Sequence, residues 1–254
     1  MSMSATSDKA SVKGGIGETV KVVIQALLLA LVVRTFFYQP FSIPSASMKS
    51  TLLVGDYLFV SKFSYGYSRY SFPWAIAPFE GRVWTEAPER GDIAVFKLPK
   101  DNSTDYIKRV IGLPGDKIQM RGGALFINDQ AVKREPKGRF TEQGAFGREL
   151  SADVYRETLP NGVSYDTLDI VPNGSADNTR VFEVPPDHYF MMGDNRDNSA
   201  DSRVDDSGVG FVPIENFVGR ADIIFFSIDE DSRPWMVWTW PWSVRWDRLF
   251  QTLG

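Results

Sequence analysis

The sequence predicts a mainly β protein: a strand-dominated domain preceded by one apolar helix. Three observations carry this. A single long apolar stretch lies near the N-terminus. After Gln39-Pro40 the chain breaks into short runs rich in Val, Ile, Phe and Tyr, separated by Gly, Pro, Asp and Asn. Helical periodicity is nearly absent beyond that point. The size, 254 residues with 43% hydrophobic and 24% charged, suits one large domain, or a core domain with an insertion and an anchor.

Residues 1–19 are rich in Ser, Lys and Gly and read as a mobile tail. The segment VKVVIQALLLALVVRTFFY, residues 20–38, reaches the roughly 20 residues a bilayer needs if Lys21 and Arg34 extend toward the two head-group regions. Three readings fit it: an uncleaved transmembrane anchor, a secretory signal cut at Pro44-Ser45-Ala46, or a core helix. For an anchor, Lys9, Lys13 and Lys21 place the tail in the cytoplasm and the rest outside, with Arg34 opposing.

Strands are predicted at 57–63, 92–98, 106–111, 117–120, 125–127, 181–184, 189–192 and 221–227. Arg121-Gly122-Gly123 marks a hairpin turn between the fourth and fifth. Residues 128–182 turn polar, and a structureless stretch of that length is uncommon in a compact domain, so an inserted β subdomain is expected. The division is then a tail at 1–19, an anchor at 20–38, a main β domain from 39–127 and 183–228, the insert, and a C-terminal segment at 229–254. That last segment holds Trp235, Trp238, Trp240, Trp242 and Trp246, five of the seven tryptophans. Indole rings suit a membrane interface, and they equally suit the edge of a β core.

Composition also excludes chemistry. With no cysteine there are no disulfides, thiolate metal sites or cysteine nucleophiles. The one histidine, His188, cannot form a two-histidine metal site and would stand alone in a Ser-His-Asp arrangement. A hydrolase built on this chain is expected to take its base elsewhere. The net charge of -4 argues against nucleic acid as a partner.

Three segments stand apart. Ile43-Pro44-Ser45-Ala46-Ser47-Met48 follows the apolar stretch, Tyr106-Ile107-Lys108-Arg109 lies on a predicted strand, and the run from Gly193 to Arg203 has no large apolar side chain. Taken singly, the first suits a turn, the second an edge strand and the third a loop bonded to itself. Calcium at Asp194, Asp197 and Asp201 is the alternative for the third, although Arg196 among the acids opposes a cation.

Together the three segments resemble the conserved boxes of bacterial type I signal peptidases, the leader peptidases that use a serine/lysine dyad. The resemblance extends through Gly55-Asp56-Tyr57-Leu58-Phe59-Val60, Arg90-Gly91-Asp92-Ile93-Ala94-Val95-Phe96, Asp105-Tyr106-Ile107-Lys108-Arg109-Val110-Ile111-Gly112-Leu113-Pro114-Gly115-Asp116 and Gly210-Phe211-Val212-Pro213. It spans roughly 36–127 and 183–228 in the family's order.

The resemblance implies a coiled, barrel-like β core with an inserted β subdomain, and a membrane-bound serine endopeptidase that cuts signal peptides from exported preproteins after small residues. Ser47 would be the nucleophile and Lys108 the general base, with the Ser47 N–H and the Ser45 hydroxyl as oxyanion donors. Ser199 would bond the lysine amine, while Asp194, Asp201, Arg203 and Arg109 form supporting ion pairs. Phe41, Ile43, Met48, Leu52 and Ile107 would line two shallow apolar depressions, and the strand around Tyr106 would pair with the extended substrate.

No metal or organic cofactor is implied. The implied partners are preprotein signal peptides, the lipid bilayer and, by proximity, the export translocon; the implied place is the bacterial inner membrane, with the catalytic domain on the periplasmic side. The lysine must be neutral to act, so burial has to lower its pKa well below the free value of about 10.4, a cost of roughly 3 to 4 kcal/mol against the charged form. The chain departs from the family in Ser50, where proline is usual, and in Ala46, where glycine is common. Lys49 is not expected to be the base, because Ser-x-x-Lys spacing is not met. A self-cleaving Ser/Lys repressor and an inactive membrane-anchored scaffold are the rival readings.

Overall fold

An apolar helix, α1 (Ile16–Phe36), opens the computed structural model, which describes residues 16–72, 79–143, 149–205 and 207–253. Most of the predicted tail, with Lys9 and Lys13, lies outside the described residues. The window 17–36 has a mean hydropathy of 1.9 and is only 6% buried, so its Leu and Val side chains have almost no cover within the chain. Glu18 in the first turn and Arg34 in the last suit the helix dipole, which helps the helix begin earlier than the apolar run itself. These properties fit a membrane-spanning helix by length and composition, and a core helix is not what the structure shows.

Among the described residues the strands are, in chain order, β1 (Tyr38–Ser42), β2 (Asp56–Ser61), β3 (Tyr67–Ser68), β4 (Arg82–Val83), β5 (Ile93–Lys97), β6 (Asp105–Gly112), β7 (Lys117–Arg121), β8 (Ala124–Ile127) and β9 (Gln130–Ala131). They continue as β10 (Lys133–Gln143), β11 (Glu149–Thr158), β12 (Ser164–Asp169), β13 (Phe182–Glu183), β14 (His188–Met192), β15 (Phe211–Pro213), β16 (Phe217–Ser227) and β17 (Gln251–Thr252). The fold is mainly β, as expected. β1 was not among the predicted strands because Pro40 argues against a central strand; it lies at a sheet edge, where a missing N–H is tolerated.

The main sheet runs β1-β2-β16-β5-β6-β14-β15, with β17 added to β16. It is coiled but open, with β1 and β15 at its ends. Bulges in β16 between Phe217 and Gly219, Ala221 and Ile223, and Ile224 and Phe226 bend the long strand. Alternation along β5 explains why it is apolar throughout. Ile93 and Val95 join Leu58, Val60 and Ile224 on one face, while Ala94 and Phe96 join Val110, Tyr189 and Phe217 on the other.

A second sheet, β13-β7-β8-β9, packs Ile118, Met120, Leu125 and Ile127 against Ile111, Phe190 and Met192. Gly122 and Gly123, with φ of 55° and 76°, make its two-residue hairpin turn, both in the left-handed region that this turn requires. The polar insert holds a three-stranded meander, β10-β11-β12. Val132, Leu159 and Tyr165 join the cluster under the second sheet, so the meander is seated on the core. At the C-terminal end, Trp240 packs on Phe226 with ring centroids 5.3 Å apart and donates Nε1–H to the Pro234 carbonyl at 3.0 Å. Trp235, Trp238, Trp242 and Trp246 are instead 59–73% exposed.

Candidate active site

The first functional segment is a turn held from beneath. Ile43 closes β1 by exchanging backbone bonds with Asp56 and Gly55. The chain then makes a 3-10 turn over Ala46–Met48, with Met48 and Leu52 fully buried in the face of the main sheet that holds Leu58 and Ile93. Apolar burial at positions 48 and 52 thus fixes the turn and leaves Ser47 at its top. Ser47 is itself mostly buried, while Ser45 is exposed beside it, their hydroxyl oxygens 3.4 Å apart.

Lys108 comes from β6, paired with Ala94 of β5. Its Nζ lies 2.6 Å from Ser47 Oγ and donates also to the Ile107 carbonyl at 3.0 Å, with the Tyr106 ring 5.4 Å away. Residues 61 apart in sequence are so brought into one hydrogen bond. Burial lowers the Lys108 pKa to about 8, against the opposing pull of the Asp201 and Asp194 carboxylates. Arg109 lies on the other face of β6, where its charge is compensated.

That compensation comes from the polar run. Arg109 grips Asp194 with two bonds of 2.9 and 2.7 Å, donates to the Gly91 carbonyl at 2.7 Å and lies 4.1 Å over the Tyr165 ring. Thr51 Oγ1 donates to the same Asp194 at 2.6 Å. Arg203 holds Asp201 with two bonds of 2.9 Å, and Asp201 accepts the Gly193 N–H at 3.0 Å. Burial would raise the Asp201 carboxyl, but Arg203 and these donors hold it below the usual range. Asp197 caps the backbone of Ile170 and Val171. The acids weighed as calcium ligands are therefore engaged elsewhere, and no metal-holding group of three occurs among the described residues.

Ser199 departs from expectation. It is brought to the site and is 9% exposed, yet its Oγ makes no hydrogen bond among the described residues, to Lys108 or any other group. It packs against Gly193, where a Cβ would come within 2.2 Å of Ser199 Oγ and 2.5 Å of the Ser47 carbonyl, so only glycine fits between them. His188 has its Nδ1 2.7 Å from the Pro186 carbonyl, and Lys49 pairs with Glu142.

A cleft of about 350 Å³ opens over the pair, lined by Pro44 to Ser47, Asp105 to Lys108, Asn198 and Ala200. Of the six residues expected to contact substrate, Tyr106 and Ile107 line it. Ile43, Met48 and Leu52 do not. They are packed into the core below, because holding the serine turn consumes their apolar surface. Phe41 faces a different cavity near the helix end. β14 pairs with β6 only from Arg109 onward, so among the described residues the backbone of 105–108 has no strand on its cleft side.

Several site residues escaped the sequence reading. Asn195 donates its N–H to the Ser47 carbonyl at 3.1 Å and its Nδ2 to the Ala46 carbonyl at 3.0 Å, tying the polar run to the serine turn. Arg196 forms a buried two-bond pair with Glu157 of the insert at 2.8 and 2.6 Å, and the Tyr165 hydroxyl donates to the same carboxylate. Leu168 of β12 exchanges backbone bonds with the polar run on either side of Asn195. Ser50 has φ of 108°, which a proline ring cannot adopt, and its Oγ donates to the Asp166 carbonyl at 2.6 Å. An Asn or Ser within a polar run carries no mark of which carbonyl it will meet.

Comparison with known proteins places the whole chain. The family model described as signal peptidase, peptidase S26, matches residues 16–226. The chain belongs to the S26 signal peptidase family. It is 43% identical over 249 residues to signal peptidase I of Rickettsia typhi, covering 89% of this chain and 90% of that protein. Signal peptidase I of Rickettsia prowazekii is 42% identical over 89% of this chain and 90% of its own length. A crystal structure of a signal peptidase I from Enterococcus faecalis aligns at a TM-score of 0.31 and 25% identity, covering 53% of this chain and 97% of that one. As an S26 family member the chain is a peptidase, a hydrolase, and its N-terminal apolar helix is consistent with a membrane anchor.

Proposed function

We propose that this S26 peptidase cleaves preprotein signal peptides with Ser47 as nucleophile and Lys108 as general base. The observation that carries the reading is the 2.6 Å separation of Lys108 Nζ and Ser47 Oγ at the floor of the cleft. While charged, the ammonium donates to the serine oxygen. Once deprotonated, its lone pair accepts the hydroxyl proton as the oxygen attacks the scissile carbonyl. A pKa near 8 keeps a usable neutral fraction close to neutral pH. The protonated amine then returns the proton to the leaving amine, and the same group activates the water that releases the acyl-enzyme.

Charge on the tetrahedral oxygen would be met by the Ser47 N–H, in a first helical turn without an internal acceptor, and by the exposed Ser45 hydroxyl. The open edge at 105–108 supports an extended substrate adding as a strand, with the shallow cleft selecting small residues near the cut. Asp194, Asp201, Arg109 and Arg203 hold the surrounding backbone in place. Ser199, buried against Gly193 without a hydrogen-bond partner of its own among the described residues, is assigned to orient the amine. We also assign α1 as a single-pass anchor in the inner membrane with the β domain on the periplasmic side, and the translocon as a neighbour, because a signal sequence in the bilayer presents its cut site just outside it.

The test is cleavage of a preprotein by purified full-length protein beside Ser47→Ala and Lys108→Ala. Turnover surviving either substitution sinks the mechanism. Retention of the chain in membranes after alkaline carbonate extraction, with an intact N-terminus, tests the anchor.

A further inference from the structure

Beside the C-terminal end of α1 lies a second cavity, of about 460 Å³, which the peptidase chemistry does not use. Phe41, Phe72 and Val218 form apolar wall, while Arg34, Lys62 and Lys97 supply cationic lining against a single acid, Asp105. Lys97 pairs with Asp105 at 2.8 Å. Neither Arg34 nor Lys62 has a salt bridge among the described residues, and Lys62, only 2% exposed, has the Ser71 carbonyl as its hydrogen-bond acceptor. Burial, then the nearby Arg34 charge, lowers the Lys62 pKa to about 8. A buried ammonium beside a second cation is unfavourable until an anion neutralises it, and an apolar side chain there would avoid the cost altogether.

We propose that this cavity binds the phosphate of a phosphate ester, held by Arg34 and Lys62 and flanked by Lys97. Arg34 lies in the last turn of α1, so with α1 as an anchor the cavity sits at the depth of lipid phosphates. A lipid head group as the source therefore rests on the anchoring proposed above. A soluble ester would offer the same chemistry.

The experiment titrates the full chain, in a zwitterionic detergent, with dihexanoylphosphatidylglycerol, dihexanoylphosphatidylcholine and glycerol 3-phosphate by calorimetry. The expected result is saturable binding of the phosphatidylglycerol that weakens about tenfold in Arg34→Gln and in Lys62→Gln, with recovery in Lys62→Arg. Glycerol 3-phosphate binding as tightly, with the same dependence on both residues, supports the site and names a soluble ester as its source. Binding that is the same in both variants, or no saturable binding of any probe, overturns the site. Arg34 is exposed, so its replacement keeps the proposal falsifiable should Lys62→Gln fail to fold. Release of the chain by carbonate removes the anchor and the lipid source together, leaving the glycerol 3-phosphate arm to decide the cavity.

Discussion

Two lysines in this molecule are buried to the same degree, Lys108 and Lys62, and burial brings both to a pKa of about 8. Their surroundings separate them. Lys108 meets a serine hydroxyl at the floor of a cleft, with the Asp201 and Asp194 carboxylates acting on it. Lys62 donates to a backbone carbonyl and neighbours Arg34. A lowered lysine pKa therefore marks desolvation, and the atom facing the amine is what separates the base proposed at Lys108 from the anion site proposed at Lys62. Each state costs roughly 3 kcal/mol against the charged form, which is the kind of expense that functional residues carry.

The sharpest way to break this comparison is to remove each partner in turn. Ser47→Ala and Lys108→Met are expected to lower kcat on a soluble signal-peptide substrate by about 10³-fold or more while leaving the fold intact by circular dichroism. A residual rate within tenfold of the parent would remove the distinction between the two lysines.

The pH profile comes next. The neutral amine is the active form, so kcat/KM should rise with pH, with unit slope below about 8, and level off above it. The midpoint should stay with Lys108 when Lys62 is replaced by Met; a midpoint that moves with Lys62 would reverse the assignment. Stability runs in the same direction. Both folded-state lysine pKa values lie below the unfolded value, so the unfolded chain holds more protons between about 8 and 10.4. These groups thus make unfolding harder as pH rises through that window.

The sequence points to the fold and to the proposed dyad for different reasons. The β core could be read because alternation along stretches such as Ile93 to Phe96 is a local property, and two-faced burial shows as an apolar run. Ser47 and Lys108 stand out only through the order of whole motifs, since nothing local relates residues so far apart. Ile43, Met48 and Leu52 pack into the core and do not line the cleft, because a residue next to the serine turn can face either way and its local sequence does not say which. Asn195, Thr51 and Glu157 were missed because their roles exist only in the bonds they make to distant segments.

Two further changes probe those bonds. Glu157→Gln leaves the Arg196 guanidinium buried without its counter-charge, and should cost about 3 kcal/mol in denaturant unfolding, with a smaller fall in kcat through Asn195. If stability is unchanged, the insert does not hold the polar run. Asn195→Ala removes the side-chain bond to the Ala46 carbonyl and keeps the backbone bond to Ser47, and is expected to lower kcat about tenfold with little change in KM, because the serine turn loses one of its two ties. The smallest change in sequence, Ser50→Pro, restores the residue usual in the family but conflicts with φ of 108°, so it should lower Tm by several degrees, about 1 to 3 kcal/mol. A raised Tm would show that the turn can adopt another conformation.

The strand β1 has a consequence of its own. It is five residues long and joins the end of α1 almost directly to the Ser47 turn. Five residues of extended chain measure about 17 Å. With α1 as the proposed anchor, that strand would work as a ruler, setting the height at which the serine could cut. On the proposed mechanism a preprotein would then be chosen by geometry as well as by its small residues: a cut site held too deep or carried too far out would pass the blade untouched.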